Sequence, residues 1–399
     1  MTNSSRGRLA FVPPRYGADI VGGSEAVMRE TAQGLARRGW DVEVLTTCAR
    51  DHYTWENEYP AGTTRDEDVV VHRFRVERPR TKRSRGRIEE RIVAGEPVSA
   101  KEQRTWLDGL FRVPELFRRL VVTADRYDAV ILSPYLFWTT VTAATIAPDR
   151  TIVMPCLHDE PYAYLDVLRP VLSDVARLWF LSEPEHQLAH RVARLPAHDV
   201  TGAGVHVPEQ YHPEKFLERH RIERPFILFA GRRERGKGWD WLGDAFHFAI
   251  QQYDVPFDLV AIGVGPAGAP VDTSGRVHVL GYLDNDEVAD AFAAATAYIQ
   301  PSTNESFSRT IMESWLAGTP VLASAGSEVL QWHCDRSGGG LTFGDEFELA
   351  QCLAFLAAAP ANADALARAG REYVLANYRW DVVLDAMEAS LRELTCAPS

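Results

Sequence analysis

Apolar residues gather in short runs along the chain, and most of these runs are separated by polar stretches with helical spacing. Leu9-Ala10-Phe11-Val12 reads as a buried strand, followed by a Gly/Pro-rich loop that ends in Gly22-Gly23-Ser24-Glu25. Val27, Thr31 and Leu35 then recur at helical spacing, Gly39 supplies a stop, and Val42 to Thr46 reads as the next strand. Strand, glycine loop, helix and strand make the βαβ unit of a parallel sheet. Further strands are predicted at Val69–Phe74, Ala129–Leu132, Thr151–Met154 and Trp179–Leu181. The pattern resumes with Phe226–Ala230, Leu259–Ile262, Val277–Leu280, Ala297–Gln300 and Val321–Ala323.

Two such sets, separated by the polar, proline-bearing stretch Pro208 to Pro225, predict an α/β protein with two Rossmann-like, doubly wound domains facing across a cleft. The expected domains are 1–207, 208–380, and a C-terminal helix, 381–399, packing back on the first. The arginine-rich stretch Arg75 to Gln103 is expected to be a solvated helix or mobile loop. The alanine-rich stretch Leu349 to Ala369 is expected to form surface helices. A length of 399 residues, beyond what one core usually serves, agrees with two domains.

The formal charge of −12 argues against nucleic acid as a partner, because phosphate-backbone binding needs a basic field. The five scattered cysteines form no CxxC pair, so neither a zinc site nor a disulfide framework is expected, and a reducing cytoplasm fits. No apolar run approaches the ~20 residues needed to cross a bilayer. Any membrane contact is therefore expected to be peripheral. A basic face along Arg78–Arg87, at the inner side of the plasma membrane, could engage anionic headgroups or a lipid-linked phosphate.

Candidate chemistry concentrates in Tyr298 to Ala323. A strand ends at Pro301-Ser302, a helix is predicted to begin near Ser306, and Gly318-Thr319-Pro320 ends it. Glu305 and Glu313 are eight residues apart. At ~1.5 Å of rise per helical residue their backbones would stand roughly 10–12 Å apart. That is wider than the ~5–9.5 Å of a glycosidase pair, and it suits two carboxylates at the ends of one elongated ligand. A helix N-terminus between them offers N–H groups to a pyrophosphate. Matching cations, Arg232 and Lys237, stand among glycines just after Phe226–Ala230. They can neutralise a diphosphate without a metal, and stabilise the charge that grows on a departing nucleotide.

These elements together resemble the GT-B-fold glycosyltransferases of family 4, over nearly the whole chain. Gly231-Arg232 with Lys237-Gly238 is similar to that family's diphosphate loop, and Glu305 with Glu313 to its E-x7-E motif. Gly22-Gly23 resembles its N-domain glycine loop, and His158-Asp159 its N-domain active-site histidine. The resemblance implies a retaining hexosyltransferase using a GDP- or UDP-sugar without a metal, in polysaccharide or glycolipid synthesis. The acceptor would be a glycan or a lipid-linked molecule. By this resemblance His158, Glu305, Arg232 and Lys237 act in transfer, Glu305 on the sugar and Glu313 on the ribose. Gly22 and Gly23 would close over the donor, and Ser306, Phe307, Ser308 and Arg309 would line it. Ser308-Arg309 and Ala203-Gly204-Val205-His206 depart from the family's usual residues, which bears on the donor more than on the reaction class.

Two local motifs point elsewhere. Gly263-Val264-Gly265-Pro266-Ala267-Gly268 spells GxGxxG, but Ala269-Pro270 follow, so no helix opens at the pyrophosphate position. A turn beside the donor phosphates is the expected role. Asp66-Glu67-Asp68 spells the DxD of metal-dependent transferases, yet it precedes a strand and is expected to be a solvated turn. Rival readings on the same plan are a nucleotide-sugar epimerase, a phosphorylase, or a non-catalytic glycan- or nucleotide-sugar-binding protein.

Overall fold

The computed structural model describes residues 6–20, 22–78, 82–265 and 274–396. The chain forms two compact units, Met1–Gly204 with Trp380–Ser399, and Val205–Arg379.

In the first unit, strands β1 (Arg8–Val12), β2 (Asp41–Thr47), β3 (Gly62–Asp66), β4 (Val69–Phe74), β5 (Ala129–Leu132), β6 (Thr151–Val153), β7 (Arg177–Phe180) and β8 (Ala197–Val200) form one sheet. Its order is β3-β4-β2-β1-β5-β6-β7-β8, and only the β3–β4 pair is antiparallel. The inner strands are buried on both faces, as parallel strands flanked by helices must be. Asp66-Glu67-Asp68 forms the β3–β4 turn, with Glu67 at φ 54°. Asp66 is not simply solvated. Its carboxylate takes a bidentate pair from Arg29 at 2.8 and 2.9 Å, and a bond from Gln33 at 3.2 Å.

The segment expected to be a solvated helix or mobile loop is helical, Lys82–Val93 and Ala100–Asp108, but it is not wholly solvated. Ile88, Ile92 and Trp106 are buried in the unit's core, which explains why a charge-rich run is ordered there. The helix Trp380–Cys396 also belongs to this unit, burying Val383, Met387 and Leu391. Buried Glu388 accepts from Trp40 Nε1 at 2.9 Å and from Arg38 at 3.0 Å. Trp179 Nε1 donates to Ser390 at 2.8 Å.

The second unit carries β9 (Phe226–Ala230), β10 (Asp258–Ile262), β11 (Val277–Gly281), β12 (Ala297–Gln300), β13 (Val321–Ser324) and β14 (Gly340–Phe343). They form an all-parallel sheet in the order β11-β10-β9-β12-β13-β14. The order reverses between β9 and β12, so the loops leaving these two neighbours diverge and leave room for a ligand at the carboxyl edge. The stretch read as a linker contains a helix, Pro213–His220, anchored by buried Phe216. The alanine-rich stretch is not merely surface either: helix Glu346–Ala358 buries Leu349, Leu353 and Leu356 in the core.

Candidate active site

In the second unit the loop after β9 is shaped by close backbone packing. A Cβ on Gly263 would come within 2.2 Å of the Gly231 carbonyl, and one on Gly265 within 2.4 Å of the Arg233 carbonyl. The amides of Gly231 and Arg233 donate to Ile262 and Val264 at 3.1 Å each. Gly263 and Gly265 therefore let the β10 loop lie directly against the β9 loop, while Pro266–Gly268 fall outside the described residues. Gly238, at φ 72°, caps the turn and lies where a Cβ would meet the Pro301 carbonyl at 2.7 Å. The Trp239–Tyr253 helix that follows holds buried Trp239 against Phe229.

This packing delivers the cations. Lys237 Nζ donates to Glu305 Oε1 at 2.7 Å, joining the β9 loop to the β12 loop. Glu305 is nearly buried, at 9% side-chain exposure, and Lys237 is partly open at 28%. Arg232 pairs with Glu234 at 3.0 Å. Behind them Gln300, at the end of β12, points its amide at Ser308 Oγ (3.1 Å), Thr310 Oγ1 (3.2 Å) and Glu305 Oε1 (3.5 Å). Gln300 was missed by sequence reasoning, being one polar residue in an apolar strand.

The helix after β12 spans Arg309–Leu316, so it begins three residues later than expected. Ser308 occupies the left-handed region at φ 66° and turns the chain into the helix. Glu305 thus lies on the loop and Glu313 on the helix, and helical rise does not set their separation. Tyr298 is pushed far above its ordinary pKa, first by burial, and the charges of Glu305 and Glu313 both add to the shift. Ser306 is buried, and Arg309 opens the helix. The Phe307 ring does not line an open site: it packs edge-on against His333 and Tyr378 at 5.3 and 5.0 Å and anchors the loop.

In the first unit, Gly23 begins the helix Gly23–Arg37. A Cβ on Gly23 would touch nothing within 4 Å, whereas one on Gly22 would strike Glu25 Oε2 at 2.3 Å. Glu25 is buried in an ion pair with Arg15. Gly22 thus serves this pair's close approach, and Gly23 leaves open space.

His158 stands after β6, with Nδ1 3.8 Å from Glu160 Oε1. Glu160 accepts from Tyr135 at 3.0 Å, and burial raises its pKa. Asp159 accepts from Tyr164 at 2.7 Å and pairs with Arg191 at 3.3 Å. Beside them is a cavity of about 520 Å³, lined by Gly95–Val98, Gln103, Asp159–Pro161 and Tyr164. Glu160, which lines it together with Glu96 and Asp159, adjoined His158-Asp159 in the sequence and went unnoticed.

In the basic segment, Arg78 pairs with Glu56 at 3.2 Å and Arg85 with Glu89 at 3.6 Å, so two of its arginines are locally neutralised. Arg80 and the side chains of Lys82 and Arg83 lie outside the described residues. Among those residues no single helix is long and apolar enough to cross a membrane.

Residues 224–359 match the family described as glycosyl transferases group 1. Over 386 residues the chain is 25% identical to a phosphatidyl-myo-inositol mannosyltransferase of Mycobacterium leprae, covering 94% of each protein. Among solved structures, sucrose-phosphate synthase from Thermosynechococcus elongatus superposes with TM-score 0.75 at 19% identity, over 98% of this chain and 100% of that one. The Anabaena protein HepE, in complex with UDP and glucose, superposes with TM-score 0.72 at 16% identity, over 97% and 100%. The shared architecture is the GT-B fold of two parallel-dominated α/β units.

Proposed function

We propose that this chain, a glycosyltransferase of the GT-B type, moves a hexose-type sugar from a UDP- or GDP-sugar to a glycan or lipid-linked acceptor, with retention and without a metal at the donor site. The observation that carries the reading is the Lys237–Glu305 contact, which brings a cation and a carboxylate together at two adjacent strand ends. One can meet a diphosphate, the other a sugar hydroxyl, within the reach of one nucleotide-sugar.

In this reading Arg232 and Lys237 hold the diphosphate, Glu313 the ribose and Glu305 the sugar. The bond from the anomeric carbon to the diphosphate oxygen breaks as the acceptor oxygen bonds to the same face. The acceptor proton passes to the departing phosphate, and the two cations stabilise the charge left there. His158, Glu160 and the neighbouring cavity form the acceptor side. The Mycobacterium leprae relative's name supports a polyol headgroup on a lipid as acceptor class, and the HepE complex supports UDP as the carrier.

The test is the anomeric configuration of the first-formed product, read by proton NMR after incubation with each α-linked donor. An α-linked product with release of one nucleoside diphosphate is expected. A β-linked product overturns retention, and turnover without an acceptor product overturns transfer.

A further inference from the structure

Three histidines in the first unit have no part in the proposed transfer. His186 and His190 lie one turn apart on the helix Glu183–Val192, hence on the same face. That helix crosses over from β7 to the edge strand β8, where His198 is paired in register with Leu178. Alternation along β8 separates His198 from Asp199, which turns to Arg177 and Ser390. His198 is thereby left to the helix side. The ring centroids stand 4.6 Å (His186–His190), 4.5 Å (His186–His198) and 5.7 Å (His190–His198) apart. One nitrogen from each lies within 4.8 Å of the others. Zinc–nitrogen bonds of ~2.0–2.1 Å in tetrahedral array need nitrogens roughly 3.3–3.4 Å apart, a difference that small ring rotations cover.

The outer bonds of two rings are those of metal-ligating histidines. His198 Nδ1 lies 2.9 Å from the Pro196 carbonyl, which can only accept, so that nitrogen carries the proton and Nε2 is the free donor atom. His186 Nδ1 lies 3.2 Å from Glu183 Oε1, the carboxylate–histidine arrangement that fixes a ligating ring. Nε2 of His186 is buried and has no hydrogen-bond partner among the described residues. A buried, unpartnered imidazole nitrogen aimed into a group of three asks for a ligand.

We propose that His186, His190 and His198 bind a zinc ion through three imidazole nitrogens, with water in the fourth position. Glu183 and the Pro196 carbonyl orient the ligands. The ion clips the crossover helix to the edge strand, apart from the donor chemistry on the second unit. The same helix holds the loop before His158, because Glu185 accepts from the amides of Leu157 (2.7 Å) and Leu181 (2.6 Å). The clip therefore bears on the acceptor side.

The full chain, made without a histidine tag and stripped with EDTA, is titrated with ZnCl2 by calorimetry and thermal unfolding. One equivalent per chain and a raised unfolding midpoint are expected. Cobalt(II) should give the visible bands of a nitrogen-ligated tetrahedral site, with no thiolate charge-transfer band. H190Q, at an exposed position, should lose both the saturable binding and the midpoint rise, while matching the stripped wild type in fold by circular dichroism. E183Q should weaken zinc binding by about 10–100-fold. Absence of saturable binding, or zinc affinity unchanged in H190Q, overturns the proposal. Unchanged affinity in E183Q overturns the orienting role of Glu183.

Discussion

Replacing Lys237 by methionine removes a cation while keeping the length and most of the bulk of its side chain. Among the described residues, Glu305 is then left with 9% exposure and one long hydrogen bond, from the Gln300 amide at 3.5 Å. A lost hydrogen bond to a charged group costs about 1.5–3 kcal/mol, and breaking a fully buried pair about 3–5 kcal/mol. Lys237 is itself 28% exposed, which favours the lower range, so K237M should cost about 2 kcal/mol. E305Q is the milder change, about 1 kcal/mol or less, because the freed ammonium can turn into water. In the double variant no charge is stranded, and its stability should match E305Q instead of falling by the sum. The coupling is then about 2 kcal/mol. Urea unfolding of the four proteins measures it. Nucleotide affinity separates the two roles of Lys237: the double variant recovers stability but should still bind UDP or GDP about tenfold more weakly, having lost a phosphate contact. Additive stability losses would refute the stranded carboxylate, and unchanged nucleotide affinity would refute the phosphate contact.

Other perturbations test the remaining parts. G238A combines an unfavourable left-handed conformation with a Cβ 2.7 Å from the Pro301 carbonyl, so it should cost more than about 1–2 kcal/mol in urea unfolding and weaken donor binding. E160A should raise the acceptor KM and leave nucleotide affinity unchanged in direct titration, since Glu160 belongs to the first-unit cavity. Glu388 has its pKa set by two opposing effects: burial raises it, but bonds from Trp40, Arg38 and Arg6 outweigh burial and leave it below the ordinary 4.5. Its contribution is fully present above the unfolded-chain value and is lost as pH falls through the lower folded value. The gap in urea midpoint between wild type and E388Q should therefore be constant near neutrality and shrink as pH drops below about 4.5.

Particular residues show why parts of the molecule were legible. β9 and β13 are buried along their whole length, so an unbroken apolar run marks each one. β3, with the sequence Gly-Thr-Thr-Arg-Asp, is largely exposed at an edge and has no apolar face to announce it. β8, another edge strand, reads as polar for the same reason. The helix Pro213–His220 hid in a polar stretch because Phe216 is its sole buried anchor among the described residues. In the candidate site the charged residues stood out by type. The delayed start of the Arg309–Leu316 helix did not, since a non-glycine residue at φ 66° leaves no compositional trace. Nor did the histidine group, whose members meet only when a helix folds back beside an edge strand.

The central claim is that the second unit holds the donor through Arg232, Lys237, Glu305 and Glu313. Its most direct test is calorimetric titration of UDP-, GDP- and dTDP-sugars into the EDTA-treated chain, wild type against E313A. One carrier should bind selectively without metal, and E313A should weaken it by about tenfold or more through loss of a charged hydrogen bond, with its circular dichroism spectrum unchanged. No binding of any nucleotide-sugar, or wild-type affinity in E313A, would contradict the donor site described here.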